Sequence, residues 1–106
     1  MFGLFGKSKN NDKLHAMVQD GALLVDVRTP EEFKSGSVKG AINIPLNDIQ
    51  SKASQLKSDK GVIVFCRSGS RSGMAKMMLE AKGIKNVCNG GPWQNVQQTL
   101  NQVKRA

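Results

Sequence analysis

Val62-Ile63-Val64-Phe65-Cys66-Arg67-Ser68-Gly69-Ser70-Arg71-Ser72 runs without a break from an apolar stretch, through a thiol, into a small basic loop. The apolar run reads as a buried strand, and residues 73–82 read as a helix. Cys66 is therefore expected where a strand ends and a flexible loop feeds a helix. Helix N-termini carry unpaired N–H groups and a partial positive charge, which favour anions and lower a thiol's pKa. Arg67 and Arg71 add positive charge beside the same sulfur. A reactive thiolate is built in this way.

Upstream, Ala22-Leu23-Leu24-Val25-Asp26-Val27-Arg28 reads as another buried strand, apolar nearly throughout as parallel-sheet strands are. Thr29-Pro30-Glu31-Glu32 supplies an N-cap, a proline at the first helical position and a glutamate at the third, which predicts a capping box. That helix is short, because Gly36 follows Phe33 closely. Residues 40–44 predict a strand ended by Pro45. Leu46, Ile49, Ala53 and Leu56 recur at amphipathic-helix spacing, and Ser58-Asp59-Lys60-Gly61 reads as a turn.

Before the first strand, a short helix from Asp12 puts Leu14, Met17 and Val18 on one face and stops at Gly21. Residues 1–10 are expected to be a flexible tail, and 11–106 one domain. The sharper alternative makes Phe2, Leu4 and Phe5, with Lys7 and Lys9, a weak membrane or partner anchor.

Downstream of the loop, Met74, Met77, Met78 and Ala81 are expected to face the core, with Ala75 and Leu79 adding to the helix's burial. Gly83 suits its C-cap. Residues 85–88 predict a last strand, and Gly90-Gly91-Pro92 a turn into a final helix with Trp93, Val96, Leu100 and Val103 inward. Short strands alternating with helices imply an α/β domain, with a mostly parallel sheet and helices on both faces. Ligands of such sheets bind beyond the carboxyl ends of the strands, where Cys66 is expected.

The 106 residues suit one domain with a single core, and 39% hydrophobic content argues for a globular fold. No run approaches the roughly 18 apolar residues of a membrane span, so stable membrane insertion is not expected. The N-terminus lacks the basic region and apolar length of a signal peptide, which points to a cytoplasmic protein. Sixteen Lys and Arg against eight Asp and Glu leave a net charge of +8. Nucleic-acid binding is set aside because the basic residues are scattered and few aromatics are available for stacking. A charged surface that attracts an anionic substrate accounts for the balance better.

Two cysteines, no CxxC and one histidine, His15, do not make a zinc site, so neither a metal nor another cofactor is expected. A structural disulfide is not expected in a reducing compartment. A merely buried Cys66 would not need Arg, Ser, Gly, Ser and Arg behind it, whereas Cys88, beside Val87 in a strand, suits packing. Gly69 with Ser68 and Ser70 lets the loop curl so that successive N–H groups point to one centre. Arg67 and Arg71 offer fork geometry to an oxyanion. Arg71 is also placed to bridge to Asp26 or Glu32 at the base of the loop.

Taken together, Leu24-Val25-Asp26-Val27-Arg28-Thr29-Pro30-Glu31-Glu32-Phe33, Gly40-Ala41-Ile42-Asn43-Ile44-Pro45, the Cys66–Ser72 loop and Gly90-Gly91 before Trp93 resemble the rhodanese family of sulfurtransferases. The resemblance spans residues 12–103 and is closest to single-domain thiosulfate sulfurtransferases. It implies a parallel sheet of about five strands flanked by helices, as the alternation of elements does. The chain departs at Gly36-Ser37-Val38, where the family often has Gly-His-Ile.

The resemblance further implies that Cys66 attacks the outer sulfur of an anionic donor such as thiosulfate and becomes a persulfide. Cyanide or a thiol then removes the sulfur, in a double displacement. Backbone N–H groups of residues 67–71 would stabilise the anions, and Arg67 and Arg71 would attract the donor. The alternatives are a persulfide carrier that serves a sulfur-accepting protein, and a phosphatase or arsenate reductase. The related phosphatases and arsenate reductases use a loop one residue longer, so the four residues between Cys66 and Arg71 favour a single sulfur atom over a tetrahedral phosphate.

Overall fold

A computed structural model describes residues 9–105. Four parallel strands, β1 (Leu23–Asp26), β2 (Ile42–Asn43), β3 (Val62–Cys66) and β4 (Val87–Pro92), form one sheet in the order β2-β1-β3-β4. Among the described residues the sheet has four strands, not about five. The chain before β1 is the helix α1 (Lys9–Asp20), and the chain between β2 and β3 is spent on two 3₁₀ turns. The remaining helices are α2 (Pro30–Lys34), α3 (Ser70–Ala81) and α4 (Trp93–Arg105). No helix among the described residues is long and apolar enough to cross a membrane.

β3 is the centre of the core: all five of its residues are buried at 0% exposure. Alternation along the strand sends Val62, Val64 and Cys66 to one face and Ile63 and Phe65 to the other. The first face packs Ala75 and Leu79 of α3 together with Ile49, Ala53 and Leu56 of the 3₁₀ segment. The second packs Leu14, Met17 and Val18 of α1 and Val96 of α4, with Trp93, Leu100 and Val103 partly buried beside them. Each fully buried aliphatic or aromatic side chain contributes about 2 kcal/mol, so the strand that carries Cys66 is firmly held.

α1 begins at Lys9, ahead of the expected boundary at 10/11, and Asn10 already donates to the carbonyl of Asn89 at 3.1 Å. The rest of the expected tail, with Phe2, Leu4 and Phe5, lies outside the described residues. The apolar pattern of 46–56 is buried as expected, but it winds as 3₁₀ turns Leu46–Asp48 and Ala53–Leu56 rather than as one helix. Tight i→i+3 bonds close the first turn (Asp48 N to Pro45 O, 2.8 Å; Ile49 N to Leu46 O, 3.2 Å). Ser51 Oγ takes the Asp48 carbonyl at 3.0 Å, a local bond of the kind that competes with a continuous helix.

The methionine stripe is corrected. Met74 is 51% and Met77 70% exposed, Ala81 is exposed and Met78 half-buried, while Ser72, Ala75 and Leu79 face the sheet. α3 starts at Ser70, and the bonds of buried Ser72 to Asn89 of β4 and to Cys66 of β3 turn that side of the helix, with Ala75 and Leu79, towards the sheet. Gly90-Gly91-Pro92 is likewise no separate turn but the end of β4, where the register with β3 shifts from Val64↔Asn89 to Cys66↔Pro92. This bulge needs Gly90, because a Cβ there would come within 2.5 Å of Val96 Cγ2.

Candidate active site

The site gathers at the carboxyl ends of β1 and β3. At the end of β1, the buried Asp26 carboxylate accepts from Arg28 N at 2.9 Å, Arg28 Nε at 3.0 Å, Arg28 Nη2 at 2.7 Å and Ser37 Oγ at 2.7 Å. Arg28 also donates to the Gly36 carbonyl and lies over the Trp93 ring, 5.5 Å from its centroid. Asn43 Nδ2 donates to the carbonyls of Asp26 and Arg28, at 2.9 Å each. A buried ion pair persists when its remaining polar positions are satisfied, and here a serine hydroxyl supplies one of them. The departure Gly36-Ser37-Val38 is accommodated in this way, with Val38 buried at 3% exposure.

This pinned corner launches α2 with the expected capping box. Glu32 N donates to Thr29 Oγ1 at 3.2 Å, and Thr29 N to Glu32 Oε1 at 3.0 Å. The same glutamate reaches the loop after β3: Arg71 Nη1 donates to Oε1 at 2.7 Å and Nη2 to Oε2 at 3.1 Å. The Arg71 bonds, helped by the Thr29 N–H, hold the Glu32 carboxyl down at about 2 against its ordinary 4.5. Arg71 is pushed up by the same partnership. Of the two carboxylates expected as partners for Arg71, Glu32 is the one it meets.

Cys66 ends β3 on the α3 face. Gly69 at φ +104° caps α3, a conformation that L side chains rarely adopt. Its N–H donates to Cys66 Sγ at 3.0 Å, and Ser72 Oγ lies 3.4 Å from the sulfur. Burial of the sulfur works against ionisation. The Ser72 hydroxyl and the N–H groups of Ser72, Gly69 and Ser68 outweigh it and hold the thiol below its ordinary range. Arg67, Ser68 and Ser70 are exposed over the sulfur, with the Ser68 and Ser70 hydroxyls 3.4 Å apart. Among the described residues, Arg67 joins no ion pair.

The structure thus brings Cys66, Ser68, Gly69, Ser70 and Arg71 into one loop, with Arg67 at its outer edge. A cleft of about 130 Å³ adjoins it, lined by Val27, Thr29, Pro45, Leu46, Asn47 and Arg71. The larger groove, about 530 Å³, lies between α1 and α4 on the opposite face of the sheet from Cys66. Cys88 also belongs to that opposite face, so the two thiols do not meet.

Two residues had no role assigned from sequence. Ser72 stands in the motif as one more small residue. Asn89 lies far downstream, just after the expected strand 85–88, and nothing local marks it out. Asn89 Oδ1 accepts from Ser72 Oγ at 2.7 Å and from Gly91 N at 2.9 Å, while its Nδ2 donates to the Gly69 carbonyl at 3.1 Å. One side chain therefore ties β4 to the middle and the far end of the Cys66 loop.

Comparison with known proteins bears on the family and the fold. The model of the rhodanese-like domain matches residues 10–91. Thiosulfate sulfurtransferase PspE of Escherichia coli is 41% identical over 69 residues, which cover 63% of this chain and 66% of PspE. A putative sulfur carrier protein of Bacillus subtilis, YrkF, is 33% identical over 69 residues, covering 65% of this chain and 37% of YrkF. The chain thus matches less than two thirds of the length of either relative. A solved E. coli rhodanese with anions is 36% identical and superposes with a TM-score of 0.64, covering 71% of this chain and 91% of that one.

Proposed function

The chain belongs to the rhodanese-like domain family, and on that premise we propose that it is a sulfurtransferase working through a persulfide on Cys66. The observation that carries this reading is the sulfur's setting. Cys66 Sγ sits at the carboxyl end of β3, 3.0 Å from the Gly69 N–H and 3.4 Å from the Ser72 hydroxyl. These groups stabilise the thiolate on Cys66 Sγ, and they hold the same atom as the inner sulfur once a persulfide has formed.

With thiosulfate as donor, the thiolate attacks the outer sulfur. The new S–S bond forms as the bond to the sulfite sulfur breaks, and sulfite departs with that electron pair. The persulfide anion then gives its outer sulfur to cyanide, yielding thiocyanate, or to a thiol, yielding the acceptor's persulfide. Either step regenerates the Cys66 thiolate with no net redox change in the protein. Arg67 attracts the anionic donor at the mouth, and Arg71 holds the loop to Glu32 while adding positive charge near the sulfur. A cytoplasmic setting, where thiols stay reduced, suits two free cysteines.

Mass spectrometry of the intact protein after mixing with thiosulfate tests this reading. It expects a gain of one sulfur atom on the parent and on Cys88→Ser, and none on Cys66→Ser. A gain that survives Cys66→Ser sinks it.

A second reading makes the same persulfide a cargo for a protein acceptor. The similarity to YrkF favours it, and so does the exposed side of α3, where Met74 and Met77 continue from the loop residue Ser70. Flexible thioether side chains suit contact with a partner. Rapid discharge of the persulfide by small thiols, as fast as by any protein, would eliminate the carrier role. A phosphatase or arsenate reductase is disfavoured by the short loop.

A further inference from the structure

We propose that Ser72 and Asn89 act together as positioning residues for Cys66. Asn89 holds the Ser72 hydroxyl beside the sulfur, and the Ser72 proton turns from the Asn89 amide oxygen to the sulfur when the thiol becomes a thiolate. The proposal rests on Cys66 being the nucleophile of the reading above, but not on thiosulfate being its donor.

Hydrogen-bond capacity decides which group donates at this centre. A serine hydroxyl has a single proton and can still accept, whereas an amide oxygen only accepts. Asn89 is locked in one orientation, because its Nδ2 reaches the Gly69 carbonyl at 3.1 Å while its Oδ1 faces the Gly91 N–H at 2.9 Å. Oδ1 then takes the Ser72 proton at 2.7 Å, and Ser72 Oγ, 3.4 Å from Cys66 Sγ, is left to accept from the S–H. That is the neutral thiol's arrangement. Ser72 is fully buried, so no water competes for its proton.

When the S–H proton leaves to solvent, the sulfur has nothing to donate and becomes an acceptor. A rotation about the Ser72 Cβ–Oγ bond brings the serine proton onto it, with every heavy atom in place. Asn89 Oδ1 keeps the Gly91 N–H, so no buried acceptor is orphaned by the turn. The thiolate then accepts from both the Gly69 N–H and the Ser72 hydroxyl. Preorganisation of this sort avoids reorganisation when charge develops. The negative outer sulfur of a persulfide leaves the inner sulfur in the same cradle.

The charged groups on the elements around this centre are Arg67 on the loop, Arg71 paired with Glu32 of α2, and Asp26 of β1 paired with Arg28. Asp48 of the first 3₁₀ turn, the exposed Glu31 and Lys34 of α2 and the Lys76–Glu80 pair of α3 stand on the same elements. None is a histidine or a second thiol. His15 and Cys88 belong to the other face.

The test is a titration of Cys66 by the ultraviolet absorbance of its thiolate. Each variant is measured against the same protein carrying Cys66→Ser, which cancels Cys88. The chain contains no tyrosine, so no phenolate obscures the signal. Ser72→Ala is expected to raise the titration midpoint by about one pH unit, the effect of losing one charge-assisted bond. Ser72→Thr keeps the hydroxyl and restores the midpoint. Asn89→Asp brings a negative acceptor that retains the serine proton and cannot donate to Gly69, so the midpoint rises.

An unchanged midpoint in Ser72→Ala, with circular dichroism matching the parent, overturns the relay. So does a midpoint in Ser72→Thr as high as in Ser72→Ala. If thiosulfate leaves no sulfur on the parent while these midpoints move as expected, the sulfur-transfer reading falls and the relay stands. Persulfide formation with unmoved midpoints is the reverse case.

Discussion

Cys66 and Cys88 are the same residue type on adjacent parallel strands, both at 0% exposure, and their thiols are shifted in opposite directions. Burial pushes Cys88 up, and Lys13 and Lys76 offset it only in part; its thiol donates to Asn10 Oδ1 at 3.7 Å. Burial opposes ionisation of Cys66 as well, but hydrogen-bond donors from Ser72, Gly69 and Ser68 prevail. Depth in the core therefore does not decide the direction of the shift. Position along the strand does. Cys66 is the last residue of β3, where a left-handed glycine turns N–H groups back on the sulfur, whereas Cys88 is mid-strand, with its backbone spent on the sheet.

The contrast is broken most directly by exchanging sulfur for oxygen. Cys66→Ser is expected to lower sulfur transfer from thiosulfate to cyanide by roughly a thousandfold or more, because the nucleophile itself is lost. Cys88→Ser should keep activity once its folding is verified. Comparable losses at both positions would make the two thiols equivalent.

The next largest effect should come from Glu32→Gln, which removes the anionic partner of Arg71 while keeping most of the cap. Loosening the loop is expected to reduce transfer about tenfold. The same variant tests an acid effect with a definite sign. The folded-state Glu32 pKa lies below the unfolded one, so its contribution is present above pH 4.5 and lost as pH falls towards about 2. Denaturant unfolding of Glu32→Gln should lose less stability over that window than the parent does.

The pH–rate profile sharpens the comparison further. Transfer requires the Cys66 thiolate, so the rate should rise with pH and level off below the ordinary thiol value of 9.0. Alkylation of Cys88 in a partly unfolded sample should instead follow an ordinary thiol. A plateau for Cys66 reached only above 9.0 would remove the distinction. The smallest effect concerns the cover over each face. Met77→Gln, on the exposed side of α3, should change stability by less than about 0.5 kcal/mol, while Leu79→Ala, on the buried side, should cost about 3 kcal/mol.

Much of this molecule is legible in the sequence where signals are local. The five-residue strand ending at Cys66, the Thr29 capping box and the α/β alternation each depend on neighbours within a few positions. So does the placing of the Cys66–Arg71 loop before a helix. The methionine stripe was misleading because Met74, Met77 and Met78 meet helical spacing as well as Ala75 and Leu79 do, and spacing cannot say which face meets the sheet. The segment 46–56 misleads in the same way: the spacings of three from Leu46 to Ile49 and from Ala53 to Leu56 suit an α-helix and two separate 3₁₀ turns alike.

What the sequence determined by itself is the chemistry on offer and the order of elements: a thiol, two arginines, small residues at a strand–helix junction, and strands apolar enough to be buried. Periodicity and turn chemistry are properties of adjacent residues, so a single chain states them. Which partners those groups take follows from packing. Glu32 was one of two carboxylates within reach of Arg71 and became its anchor; Asn89 lay just beyond the expected strand 85–88 and became the clasp on the loop. Their partners stand 39 and 17 to 20 positions away along the chain. Parallel pairing of β1, β3 and β4 brings them together, because it sets the carboxyl ends of distant strands side by side.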